Sequence, residues 1–167
     1  MIVRQHTKGD ARSEAIYSDC ENYRFSLSRT WNSDGGRALF VMLNPSTATE
    51  RQNDPTVERC ERRARALGFG AFRVTNIFAW RATDPKELRS VPDPVGGEND
   101  QYILRGVEWA SAVICAWGTH GELHNRGKAV EALLRARGSS LMVLGLTKDG
   151  HPKHPLYISY REQPQVW

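Results

Sequence analysis

Residues 38–47 read Ala-Leu-Phe-Val-Met-Leu-Asn-Pro-Ser-Thr. A continuous apolar run closed by Asn-Pro is the pattern of a strand covered on both faces and ended by a turn. Around it the chain alternates strands and helices. Asp54-Pro55 gives an N-cap with proline at the first helical position, and Val57, Cys60, Ala64 and Leu67 fall on one stripe before Gly68. Phe72 to Trp80 reads as the next strand, Asp84-Pro85 as the start of a short helix and residues 91–97 (VPDPVGG) as a loop. Glu98 to Ala110 reads as a helix, Ala112 to Trp117 as a strand, Arg126 to Arg137 as a helix and Leu141 to Leu146 as a last strand. Upstream, Tyr17, Tyr23, Phe25 and Leu27 alternate with polar residues, and Asn32 to Gly36 supplies turn chemistry. The order predicts an α/β fold, a three-layer α/β/α arrangement with a mainly parallel central sheet, preceded by an N-terminal β hairpin.

The 167 residues fit one domain, 1–167, able to bury a core without staples. No apolar run approaches the ~18 residues of a membrane span, and no apolar signal segment follows the first three residues, so no membrane association is expected and the cytoplasm is the expected compartment. The three cysteines, Cys20, Cys60 and Cys115, are isolated, which argues against a disulfide framework and a Cys-rich zinc site and for reduced, mostly buried thiols. The net charge is +4, with Arg59, Arg62, Arg63 and Arg65 concentrated in one stretch. A polyanionic partner is permitted by that cluster, and so is a solvated helix face.

Ligands of open parallel sheets bind beyond the carboxyl ends of the strands. Those ends hold Asn44-Pro45-Ser46-Thr47, Thr75-Asn76, Trp117 to His120, and Thr147 to Tyr157 with His151 and His154. Asn76 lies in the apolar run VTNIF, where a buried amide needs partners and suits the donor and acceptor pattern of a nucleobase. Proline on each side of the Lys153-His154 pair restricts the backbone that carries the imidazole. Asp54 reads first as a helix cap, close in sequence to the Asn44 loop. His120 and His124 have metal spacing only on a helix, which Gly118 and Gly121 oppose, so no metal and no cofactor are expected. The phosphate-loop, dinucleotide-binding and serine-hydrolase elbow motifs are all missing.

The segments MLNPSTAT, NDPTVERC, VTNIFAWRATDP, GGEND, CAWG and GLTKDGHPKHPLY together resemble an uncharacterised family of bacterial and phage proteins catalogued as a domain of unknown function, over roughly Tyr23 to Tyr157. That family in turn resembles, more distantly, the uracil-DNA glycosylase superfamily. The second resemblance implies a uracil-DNA-glycosylase-like domain and a role for each matching position. Asn44 before Pro45 and Ser46 is similar to the asparagine that positions the attacking water. Asn76 is similar to the strand asparagine that bonds the uracil edge. His154-Pro155-Leu156 is similar to the His-Pro-Ser motif whose histidine stabilises the departing base and whose loop carries a wedge into the duplex. Met42, Ser46 and Leu156 depart from the glycine, glycine and serine common there, which implies an altered pocket entrance and a substrate other than uracil.

The expected chemistry is hydrolysis of the N-glycosidic bond of a damaged or modified base in DNA, or of a modified nucleotide. Asn44 and His154 are the expected catalytic groups, Pro45, Ser46, Asp54 and Asn76 the substrate-binding ones, and Arg81 and Lys153 the phosphate contacts, with Leu156 as an apolar wedge. DNA or a nucleotide is the expected partner, with no obligate protein partner. Two alternatives stand beside it: a nucleic-acid or nucleobase binding module without catalysis, and a small-molecule nucleoside hydrolase or transferase.

Overall fold

The computed structural model describes all residues, 1–167. It is a mixed α/β protein built on one eight-stranded sheet of order β1-β2-β3-β5-β4-β6-β7-β8. The strands are β1 (Ile2–Lys8), β2 (Ala11–Tyr17), β3 (Arg24–Thr30), β4 (Gly36–Met42), β5 (Phe69–Asn76), β6 (Ala112–Ala116), β7 (Leu141–Val143) and β8 (Gln165–Val166). The helices are α1 (Pro55–Ala66), α2 (Asn99–Trp109) and α3 (Arg126–Ala136), with short 3-10 segments at Pro85–Arg89 and Thr119–Asn125. No helix is long and apolar enough to cross a membrane.

The strands starting near Ala38, Phe72, Ala112 and Leu141 do lie side by side and parallel, as β5, β4, β6 and β7. The sheet as a whole is not mainly parallel. The β1–β2, β2–β3, β3–β5 and β7–β8 pairings are antiparallel and outnumber the parallel ones. The reason lies in the polar alternation of the first strands. Arg12, Glu14 and Ser28 share a wet face, which antiparallel strands tolerate and crossover-covered parallel strands do not. Nor is the expected three-layer arrangement seen, since the β1 edge has no fully buried residue.

The N-terminal hairpin is β1–β2, turned at Gly9 with φ +60, and not the pair expected across Asn32–Gly36. That second segment passes over the start of β5 instead: the N–H groups of Trp31 and Asn32 both donate to Gly70 O at 3.0 Å. A Cβ on Gly70 would lie 2.0 Å from Asn32 O, so only glycine admits the crossing. Here β5 inserts between β3 and β4.

Alternation along β4 divides the core. Ala38, Phe40 and Met42 cluster with Val57, Cys60 and Ala64 of α1. Leu39 and Val41 cluster with Ile103 of α2 and with Val130 and Leu134 of α3. Cys60 and Cys115 are buried free thiols and Cys20 is an exposed one, in line with the expectation of mostly buried thiols. The expected Phe72–Trp80 strand ends at Asn76, after which the N–H groups of Ile77 and Phe78 donate to Met42 O and Leu43 O. This bend turns the chain over the end of β4 and brings residues 82–85 to the Asn44 loop.

Candidate functional site

The segments following β4, β5, β6 and β7 converge on one cavity of about 350 Å³. Met42, Leu43, Asn44 and Ser46 reach it from β4, Ala82 and Thr83 from beyond β5, Trp117 to His120 from beyond β6, and His154 and Leu156 from beyond β7. Asp54 and Thr56 at the start of α1, and Arg24 at the start of β3, complete it.

Asp54 joins two parts of this wall. Its Oδ1 accepts the N–H of Val57 at 2.9 Å, capping α1, and its Oδ2 accepts the N–H of Ala48 at 3.1 Å. The carboxylate is thereby fixed at the positive end of the helix. Asn44 is held as firmly. Its Nδ2 donates to Pro45 O at 2.9 Å and Ala82 O at 2.8 Å, so both amide protons are used and Oδ1, an acceptor, is the atom left over. Pro45 does not line the cavity. It is buried, and its carbonyl also accepts the N–H of Ala82 at 2.9 Å, tying the two loops together.

His154 Nδ1 accepts the N–H of Leu156 at 3.3 Å. That bond requires an unprotonated Nδ1, so in the neutral ring the proton sits on Nε2 as a donor. Burial holds the imidazole below its ordinary titration range, against the attraction of Asp54 and with the repulsion of His120. The loop that presents it docks on β6: Gly118 N–H donates to Pro152 O at 2.7 Å, and Gly118 adopts φ +72 beside the His154 Cβ.

Arginines of α1 hold the other side of that loop. Arg59 Nε donates to Pro155 O at 3.1 Å, and Arg59 and Arg63 both bond the carbonyl of Ile158. Arg63 also donates to Ser159 O at 3.1 Å and Glu162 O at 2.7 Å. Arg62 pairs with Glu58, and Arg65 with Asp10 and Glu61. Two members of the basic cluster seen in the sequence, Arg59 and Arg63, thus brace the His154 loop, and the other two are paired with carboxylates.

The remaining expected residues are dispersed. Asn76 does not line the cavity: it is 1% exposed, and neither atom of its amide has a partner within the chain. Its register beside Met42 places it one strand from the cavity wall. Arg81 donates to Glu21 O at 3.0 Å, lies over the Tyr17 ring and shares a shallow groove with Glu21 and Glu87. Lys153 is exposed and outside the cavity lining. His120 and His124 share no helix face, because Leu123 has ψ 126 and His124 φ 53.

Arg24 is a charged lining residue that sequence reasoning missed, as it did Thr56 and Thr83. Arg24 is 1% exposed and donates through Nη1 to Ala48 O at 2.7 Å, while its Nε has no partner. In the sequence it is one polar residue in an alternating strand, and only the folded position of the residue 48 loop reveals its burial.

A cavity beyond the parallel strand ends, lined by Asn44 and His154 together with Asp54 at the start of α1, is the candidate site of this mixed α/β protein. The chain belongs to the family of proteins of unknown function designated DUF1643, whose sequence profile matches residues 24–156. No curated protein matches the chain. No solved structure matches it either.

Proposed function

We propose that the protein is a glycosylase-like hydrolase that cleaves the N-glycosidic bond of a damaged or modified base, in DNA or in a nucleotide. The observation that carries this reading is the opposite polarity of two fixed groups on one cavity: an amide oxygen offered by Asn44 and a ring N–H offered by His154. In the reaction a water oxygen bonds to the anomeric carbon, the C–N electron pair leaves on the base, and a water proton ends on the base. Positive charge grows on the sugar and negative charge on the base. Asn44 Oδ1 accepts from the attacking water, His154 Nε2–H donates to the base as charge builds, and Asp54 offsets the charge on the sugar. A neutral imidazole donates at no cost of deprotonating a cation, and its low titration range serves that role.

The resemblance to uracil-DNA glycosylases supports the same assignment. Asn76, with an unsatisfied amide one strand from the wall, fits a part in base selection that requires the neighbouring strand end to shift. The reading also assigns the protein to the cytoplasm.

A small-molecule nucleoside hydrolase or transferase is the second reading, favoured by Arg81, whose guanidinium donates to the Glu21 carbonyl and is flanked by acidic residues where a DNA path needs free cations. Incubation with oligonucleotides, mononucleotides and mononucleosides bearing damaged or modified bases tests both. Abasic product from oligonucleotides, with affinity that falls as salt rises, supports the DNA substrate; release of free base from mononucleotides supports the nucleotide substrate, and release from mononucleosides alone supports the second reading. Binding without release from any substrate would reduce the protein to a binding module.

A further inference from the structure

The cation at Arg24 is unmatched inside the fold. No carboxylate makes an ion pair with it, and one hydrogen bond, Nη1 to Ala48 O, is its whole set of partners. Asp54 acts on it only through space, and that carboxylate is already held by the N–H groups of Val57 and Ala48 at the start of α1. Buried arginines elsewhere in the chain are better served. Arg63 reaches three backbone carbonyls, and Arg29 reaches Ser13, Thr49 and Asn53.

The atoms Arg24 leaves unused are Nε, which is buried without a partner, and Nη2, which makes no hydrogen bond. These two form the side-on fork of the guanidinium, the edge that takes two oxygens of a phosphate or carboxylate in parallel. Thr56, at the second position of the 12-residue α1, lines the same cavity and offers a backbone N–H that nothing in the chain accepts. Ser46 adds a hydroxyl to that lining. A buried guanidinium, a free helix-terminal N–H and a hydroxyl are the donor set of a phosphate subsite. Burial lowers the Arg24 pKa to about 10, and the group remains a cation at neutral pH.

We infer that the cavity takes a nucleotide through its phosphate, with Arg24 as the anchoring group, so that a phosphorylated nucleoside is bound in preference to the free nucleoside. This rests on the hydrolase reading above for the identity of the ligand as a nucleotide, and names the part of that ligand the site grips. The same phosphate chemistry occurs in a free mononucleotide and in a nucleotide of a DNA strand. At about 350 Å³ the cavity is at the small end of ligand sites, which favours the mononucleotide.

Calorimetry on the full chain tests it with deoxynucleoside 5′-monophosphates carrying common and modified bases, the matched nucleosides, and a short single-stranded oligonucleotide. The expected result is a monophosphate that binds at least about tenfold more tightly than its nucleoside, the difference one charge-assisted contact makes. Inorganic phosphate should compete with it. Arg24→Met should bring the monophosphate down to the nucleoside's affinity, and Arg24→Lys should keep part of the preference. If Arg24→Met does not fold, Arg24→Lys and phosphate competition on the unaltered protein decide. Tighter binding of the oligonucleotide, with the same Arg24 dependence, identifies the phosphate as one within a strand. Equal affinity within every pair, no binding by any member, or a preference undiminished by the Arg24 variants would overturn the inference. Chromatography of the same samples for free base reads the hydrolase proposal separately: phosphate-dependent binding with no release leaves the subsite standing and removes the hydrolysis.

Discussion

Arg59 Nε donates to the carbonyl of Pro155 at 3.1 Å, so the helix capped by Asp54 also grips the loop that carries His154. Charge-assisted bonds of this kind contribute roughly 1.5–3 kcal/mol. Arg63→Ala, which frees the carbonyls of Ile158, Ser159 and Glu162, should destabilise the protein by about 3 kcal/mol, and Arg59→Ala by about 1.5. Urea unfolding checks the magnitudes. Hydrogen exchange should show residues 151–162 opening first in both variants, whereas uniform loss of protection across the sheet would mean that the arginines do not act through this loop.

Asn76 is placed where stability alone would put an apolar side chain. Its two unpaired amide atoms, at 1% exposure, carry a desolvation penalty of about 1–3 kcal/mol. Asn76→Leu should therefore raise the urea midpoint of the protein while lowering ligand affinity or changing the base accepted. A variant less stable than the parent would show that the amide is satisfied in solution and has a structural role.

Asn44 tests differently, because its amide protons hold Pro45 O and Ala82 O. Asn44→Ala should cost about 1–2 kcal/mol of stability. Asn44→Asp should be worse than alanine, since a carboxylate in that position faces two carbonyl oxygens with no proton to offer. Thermal melts of the two variants at pH 8 decide the order, and an aspartate variant as stable as the parent would contradict the orientation assigned to the amide.

His154 carries a pH signature. Its folded pKa lies below the ordinary value of about 6.5, so between those two values the unfolded chain holds a proton that the native protein lacks. Stability must then rise with pH through that window, being complete above about 6.5 and falling as pH drops toward the folded pKa. The melting temperature of the parent should fall faster below pH 6.5 than that of His154→Gln. Asp54→Asn should lower the His154 pKa further, because Asp54 raises it. A histidine titration by NMR that moves upward in Asp54→Asn would contradict the placement of the two groups.

Part of this arrangement was legible in the sequence. Asp54-Pro55 announced α1 to the residue, because capping and proline geometry are local, and the apolar runs marked the strands whose polar ends feed the cavity. The edge strand β1, with exposed Val3, Arg4 and Gln5, lacked the apolar alternation by which strands are recognised. Its pairing with β2 is made mainly by backbone hydrogen bonds, which leave no mark on residue type. The insertion of β5 between β3 and β4 depends on a glycine contact between residues far apart, Asn32 and Gly70. Arg59 and Arg63 read as part of a solvated face or a polyanion site, and Arg24 drew no notice, since their partners are carbonyls, which every residue possesses.

The central claim is that His154 stabilises the departing base. Single-turnover release of base by the parent and by His154→Ala, on whichever modified oligonucleotide or nucleotide is turned over, tests it most directly. The account predicts a rate lower by roughly 10²–10³ in the variant with substrate affinity nearly unchanged, the usual effect of deleting one donor aimed at developing charge. An unimpaired His154→Ala rate, or no base release by the parent from any substrate of the panel, would contradict it.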